Sequence, residues 1–349
     1  MAPAFRIPLR WQGSLPAGDL SPINCLFGGG EGFPVIAEAE VQIPRRAVWP
    51  SVRMNRRGEA AEAGPTGAPW VNANGWLVRM HQFRTADKPV FLDSQPPANA
   101  RTASYVLAVA DAMAYGAPWI ARHTPETWEQ VRAAIQFFVA HEEWRGWKPV
   151  AAVALIGTFA GNEEINGGEC MNLLARRQVG YSLAVPGDLS TLAGVGAAMW
   201  IPESEIPMET YLRWVRGGGV LLGIGLPTRM EGKGRLVGLQ ASWKDAYGVT
   251  AAMHLALTRK TDVLRLWNAG SFNSFYQQEP GGKRGVVHMI NYATNRSSDD
   301  TSIWIARPWK KATLTTFENK APLKTTAVNG GIEIPLPPLG VYAAIELEA

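Results

Sequence analysis

Between residues 148 and about 260 the chain alternates two kinds of segment, and this alternation restricts the folds open to it. VAAVALIG (150–157) is a continuous apolar run, and YSLAVPG, GVGAAMWIP and VLLGIG repeat the type. Between them GGECMNLLARRQ (167–178) and METYLRWVRGGG carry a helical pattern, the second closed by glycine. A strand that is apolar on both faces must be covered on both faces. Such strands alternating with helices predict a parallel sheet between helical layers, a flavodoxin-like or Rossmann-like arrangement. No GxGxxG follows the first run, and the glycines at 217–219 precede a strand instead of opening a helix, so no nucleotide or other cofactor is expected.

On either side the texture changes. From about residue 262 the helical signal stops, and DVLRLWNAG, GVVHMINYA, TSIWIARP, KKATLTTFEN, GIEIPLPP and VYAAIELEA read as short strands separated by turn residues. Most alternate with period two, which predicts a small antiparallel β-sandwich. Before residue 147 the chain is rich in loops. PVIAEAEVQI (34–43) alternates like a strand, KPVFLD (88–93) and PWIA (118–121) are short buried strands, and helices are expected over 102–117 and 126–144. Thr124 would cap the second helix and Pro125 would occupy its first position. The expected units are therefore 1–147, 148–261 and 262–349, which suits a chain of 349 residues.

Composition excludes several partners. The net charge of +4 is scattered in short pairs such as Arg45-Arg46 and Lys310-Lys311, so a solvated surface explains it better than a nucleic-acid partner. No uninterrupted apolar stretch reaches transmembrane length, and MAPAFRIPLRW lacks the apolar run of a signal peptide, so a soluble chain without export signal is expected, cytoplasmic by default. Cys25 and Cys170 lie far apart in apolar settings and read as two buried free thiols. The five histidines show no metal-ligand spacing, and no metal site is expected.

The stretch GPTGAPWVNANGWLVR (64–79) gathers Trp70, Asn72, Asn74 and Trp76 at one junction between loop and helix, with Asn74 a preferred N-cap residue. Flat apolar faces beside amides that donate and accept match a sugar ring, which offers C–H faces and hydroxyls. Packing alone would also use two Trp there. His81 lies one helical turn beyond Trp76 and Leu77 and could join the site or decorate an exposed helix face.

The order of segments resembles the carboxyl half of multidomain glycoside hydrolases. It looks like the layout of β-galactosidases that carry a trimerisation domain, in which a (β/α)8 barrel precedes a glutamine-amidotransferase-like domain and a final β-sandwich. FAGNEEINGGECMNLLARRQVGYSLAVPGDL with YLRWVRGGGVLLGIG, and VVHMINYA through EIPLPPLGVYAAIEL, carry the likeness. A whole barrel takes about 250 residues, and some 147 precede the sheet domain here. The resemblance therefore implies a partial or reduced barrel, or one completed by another chain. It also implies a carbohydrate substrate and a homo-oligomer whose leading contact lies near METYLRWVR.

Glycoside hydrolysis needs two facing carboxyl groups. Asp93 follows the apolar strand VFL, which is where a barrel places catalytic groups, although a turn cap would look the same. Glu38 and Glu40 would share one strand face, as catalytic groups or as a solvated edge, and Glu40 is the nominal second carboxylate. Glu163, Glu164 and Glu169 fit the electropositive start of a helix. An amidotransferase reaction is not expected, because Cys170 falls inside a helix and only His254 lies in that domain. Two functions stay open: a glycoside hydrolase using Asp93, and a non-catalytic carbohydrate-binding or assembly subunit.

Overall fold

Runs of only three or four apolar residues pair stably when strands from distant parts of the chain line up beside them, and the amino-terminal segment arranges its runs in a circuit. The computed structural model describes residues 7–10, 23, 25–27, 35–53, 55–57, 60–62, 70–122, 126–257, 261–294 and 300–349. Pro8–Arg10, Cys25–Phe27 and Val35–Ile36 form a parallel sheet in sequence order. The chain then steps through a 3-10 turn, Glu38–Glu40, to Gln42, which bridges in parallel to Val90. Leu92 bridges in parallel to Trp119, and the Ala121 N–H donates to the Pro8 carbonyl at 2.9 Å, returning the hydrogen bonds to their start. Ile36, Val41, Phe91 and Ile120 form one buried cluster, while Val90, Leu92, Trp119 and Ala121 belong to another. That is period two, one side chain in and the next out.

Helices α1 (Gly75–Arg84), α2 (Thr102–Met113) and α3 (Trp128–Ala140) follow. Two expectations need correcting. Residues 34–43 are not one strand, because Glu-Ala-Glu winds into the 3-10 turn. The strand that would have put Glu38 and Glu40 on one face is therefore interrupted at those two residues. The third helix starts at Trp128 with Thr127 before it, and Thr124 and Pro125 lie outside the described residues.

The four apolar runs of the middle segment are strands of one sheet, as the alternation predicts. Its order is Tyr181–Ala184, Val153–Ile156, Ala197–Trp200, Val220–Ile224, Gly234–Leu239, with Arg229–Glu231 antiparallel at the edge. Taken in chain order the five parallel strands run 2-1-3-4-5, the flavodoxin-like order. Helix α4 (Asn162–Arg176) and helix α6 (Ala246–Ala256) cover one face, where Leu155, Met199 and Leu222 meet Cys170, Met171 and Met253. Leu77 and Met80 of α1 join the same face. Helix α5 (Met208–Arg216) covers the other, setting Tyr211, Leu212 and Val215 against Ile156, Ala198 and Leu221.

The carboxyl-terminal strands build two facing antiparallel sheets. One has the order Leu264–Trp267, Ser302–Ala306, Gly331–Pro335, Thr326–Val328. The other has Lys320–Pro322, Lys311–Thr315, Tyr342–Glu348, Arg284–Asn291, Phe272–Gln278 and Lys148–Pro149. The second sheet is buried on both sides. Val287, Met289 and Ile345 face the other sheet, while Val286, Ile290 and Ala344 belong to the cluster of α2 and α3. The sandwich and the amino-terminal segment therefore share one core.

A polar knot lies inside that core. Asp111 of α2 is fully buried and accepts from the Asn74 backbone N–H at 3.0 Å, from Asn74 Nδ2 at 2.7 Å and from the Tyr292 hydroxyl. Burial pushes its carboxyl up to about 6, against the three hydrogen bonds, which lower it. His288 is also buried. Gln277 Oε1 can only accept, so His288 Nε2–H donates to it at 3.0 Å and Nδ1 accepts from the Tyr342 hydroxyl at 2.7 Å. Burial, helped by His141, holds this imidazole down at about 3.

These two groups act on stability in opposite directions. Asp111 ionises above its usual value in the fold, so its contribution is present at low pH and is lost as pH rises through about 6. His288 contributes above its usual value of 6.5 and loses this as pH falls toward about 3. Asp111→Asn removes only the first. Relative to that variant, the wild type should lose about 3 kcal/mol between about pH 4 and pH 7 in urea unfolding, and a constant difference would refute the assignment.

Candidate functional site

Two places in the fold gather candidate site residues: the carboxyl ends of the amino-terminal strands and the carboxyl edge of the parallel sheet. At the first, Asp93 directly follows the bridge at Leu92, and Arg122 directly follows Ala121 on the neighbouring run. Parallel pairing thus brings both side chains to the same end. Arg122 Nε donates to Asp93 Oδ1 at 2.8 Å, and Nη2 donates to the same oxygen. Both side chains are mostly buried, with exposures of 12% for Asp93 and 17% for Arg122. Glu40 ends the 3-10 turn and is exposed, one step before Val41 enters the ring cluster. His123 and the side chain of Glu38 lie outside the described residues.

The residues grouped in the 64–79 stretch separate. Asn74 does stand just before α1, but its side chain makes no capping bond. It is buried, and it binds the Val48 N–H and carbonyl, each at 2.8 Å, together with Asp111. Trp76 is half-buried with its ring against Gly168 of α4, where a Cβ would stand 2.5 Å from the ring. Asn72 Nδ2 donates to Ser51 Oγ at 3.3 Å across a two-stranded antiparallel ribbon. Gln42 Oε1 accepts from His81 Nδ1 at 3.1 Å, and burial first, then Arg84, lowers the His81 imidazole. Trp70 begins the strand Trp70–Asn72, and its side chain lies outside the described residues. Asn74 and Trp76 therefore bind the protein's own interior, which is why Trp and Asn crowd this stretch.

The second place escaped the sequence analysis. A crevice of about 780 Å³ opens where Ala197–Trp200, Val220–Ile224 and Gly234–Leu239 end. Ligands of doubly wound sheets bind in such positions. Trp200 is almost buried and donates its indole N–H to the Ser204 carbonyl at 3.1 Å. Half-buried Trp243 lines the crevice with Glu203, Glu205 and Lys244, and Asn166 Nδ2 donates to Glu203 at 3.0 Å. Aromatic walls with carboxylates and an amide suit a polyhydroxylated ligand. The local signal was present: WIPESEIP, GIGLP and ASWKD each follow a strand of the sheet.

Cys170 lies inside α4, fully buried, with its thiol pushed up to about 12 by burial, which removes it as a nucleophile. Glu163 accepts from the Thr158 N–H at 2.7 Å, the Thr158 hydroxyl at 2.8 Å and the Phe159 N–H at 3.1 Å, fixing the turn into the helix. Among the described residues no three His, Cys, Asp or Glu side chains are grouped to hold a metal ion, and no helix is long and apolar enough to cross a membrane.

No protein-family model matches the sequence, and no curated protein does. Solved structures do match in fold. Alpha-L-fucosidase isoenzyme 2 from Paenibacillus thiaminolyticus aligns with a TM-score of 0.56 at 12% identity, over 75% of this chain and 60% of that one. A rhamnosidase from Novosphingobium sp. PP1Y aligns at 0.53 and 10% identity, over 88% of this chain and 34% of that one. A GH42 beta-galactosidase from G. stearothermophilus aligns at 0.46 and 10% identity, over 77% of this chain and 60% of that one. The fold is thus similar to that of glycoside hydrolases, and the chain spans 60% and 34% of the first two.

The packing of Trp76 on Gly168 has a measurable consequence. Trp76→Ala should cost about 2–4 kcal/mol in urea unfolding, because it opens a hole between α1 and α4. A change below about 0.5 kcal/mol, within the range of ordinary surface substitutions, together with lost sugar affinity would return Trp76 to a binding site.

Proposed function

We propose that the chain is a carbohydrate-active protein of the glycoside-hydrolase kind, acting on a glycosidic bond at the mouth of the amino-terminal circuit of strands. On this proposal the circuit is a reduced barrel, residues 148–261 are a sheet domain that mediates assembly, and residues 262–349 are the closing sandwich. The observation that carries it is the Asp93–Arg122 pair at the carboxyl ends of adjacent parallel runs. Barrel enzymes place their chemistry at that end. A pair of guanidinium N–H donors is the partner of a carboxylate anion, the form in which a nucleophile or general base acts. Asp93 would fill that role with Arg122 holding its orientation, and Glu40 is the nominal proton donor. Two carboxyl groups about 5 to 10 Å apart across the bond would complete the reaction centre. The fucosidase and rhamnosidase among the matching folds support the substrate class.

A second reading, a carbohydrate-binding or assembly subunit without catalysis, is favoured by the crevice. Trp200, Trp243 and Asn166 could hold a saccharide there with no help from Asp93. Assembly on either reading would be through copies of the chain. Tyr211, Leu212 and Val215 of α5 face their own core, so the outer residues Glu209 and Arg213 would meet the neighbour.

A screen of aryl glycosides, with α-L-fucosides and rhamnosides first, separates the readings. Hydrolysis that falls about 10²- to 10⁴-fold in Asp93→Asn, with sugar affinity kept, is the expected result. Full activity in that variant would remove Asp93 from the chemistry. Sugar binding without hydrolysis, abolished by Trp243→Ala, would establish the second reading. Sedimentation at micromolar concentration should show an oligomer, and a monomer would remove the assembly claim.

A further inference from the structure

A buried guanidinium without a carboxylate beside it is costly unless other groups, or a ligand, meet its charge. Arg79 of α1 is such a group. It is 9% exposed, and no carboxylate among the described residues forms an ion pair with it. Its Nη2 donates to the Tyr181 carbonyl at 2.5 Å, and its plane lies 3.9 Å from the Tyr181 ring centre and 4.9 Å from that of Phe275. Asp111, the buried carboxylate of the core, is engaged by Asn74 and Tyr292 instead. A guanidinium has five N–H donors, and the protein acceptors Arg79 meets among the described residues are on Tyr181.

Arg79 lines a cavity of about 240 Å³ where α1, the 3-10 turn Glu142–Gly146, the sheet strand Tyr181–Ala184 and the sandwich strand Phe272–Gln278 converge. Two further features of the wall point to a ligand. Arg145 contributes a second guanidinium to the wall. Ser182 Oγ is buried and has no hydrogen-bond partner. The rest of the wall is largely flat and apolar, with Phe83, Tyr115 and Trp147.

We propose that this junction cavity binds a small carboxylate-bearing molecule, its carboxylate on Arg79 and Arg145 and its body against Tyr115 and Trp147. The planar fork of a guanidinium matches a carboxylate with two parallel N–H donors, and Ser182 would supply a hydroxyl donor. The volume lies below the ~300–1,000 Å³ typical of larger ligands, so the body is about one ring in size. The site lies where the three structural segments meet, so occupancy would tie them together and stabilise the fold. The proposal stands apart from the hydrolase reading.

Calorimetric titration of the full chain with glucuronate, benzoate, inorganic phosphate and neutral glucose tests it. Benzoate or glucuronate should bind with a Kd of about 1 mM or tighter and raise Tm, while glucose should not. Arg79→Met should weaken this about tenfold or more, and Arg145→Gln by less, through lost charge-assisted bonds. Ser182→Leu, which fills the cavity and leaves both arginines, should block binding even if Arg79→Met does not fold. Failure of both carboxylates to bind, binding unchanged in Ser182→Leu, or a preference for phosphate over both carboxylates would each overturn the proposal.

Discussion

One buried carboxylate organises the interior. Asp111 meets no cation, only the backbone and side-chain N–H groups of Asn74 and the hydroxyl of Tyr292, so its position depends on three neutral donors arriving together. Those donors come from the start of α1 and from the end of the sandwich strand Arg284–Asn291. Through Asn74 the knot also fixes both backbone groups of Val48. Leaving any of these groups unpaired inside the core would cost about 1–3 kcal/mol each, so the helices and the sandwich are held in one arrangement. Close packing surrounds it: the Tyr115 ring occupies the space where a Cβ would stand on Gly75, which explains why α1 opens on glycine.

Two of the buried charged groups, Asp111 and Arg79, are treated differently. Asp111 is fully enclosed and fully satisfied, whereas Arg79 is stacked between aromatic rings and leaves donors toward a cavity. Aromatic faces attract a guanidinium without taking up its N–H groups. A cavity can therefore persist beside Arg79 in a way that would be prohibitive beside an unmet carboxylate.

Much of the sheet architecture was legible because its signals are local. Four continuous apolar runs announced parallel strands, while their order came only with the structure. The fifth strand, Gly234–Leu239, and α6 were missed, as was Phe272–Gln278, whose Asn273 and Gln277 are polar yet buried. Those two residues read as surface until the partner strands and Trp147 are known, since Gln277 donates to the Trp147 carbonyl from 130 positions away. The Asn74 junction stayed ambiguous for the same reason. Its amide answers Asp111 and Val48, and Asp111 also binds Tyr292 across 181 positions, a relation no window of sequence contains. The position of Asp93 at a strand end was legible because strand ends are local, and its partner Arg122 follows the next buried run by the same logic.

The size of the amino-terminal circuit bears directly on the chemistry it could host. A full eight-stranded barrel fills its interior with layers of four side chains and keeps a broad mouth on which catalytic groups face one another. Among the described residues of the circuit, Ile36, Val41, Phe91 and Ile120 form one small buried cluster. Neighbouring strand ends meet here, and the carboxylate after Leu92 pairs with the guanidinium after Ala121. On the hydrolase proposal, a carboxyl group opposing Asp93 would come from another segment, since the adjacent run presents Arg122. The turn Glu38–Glu40 is placed for this in chain order, since it joins two parts of the circuit itself.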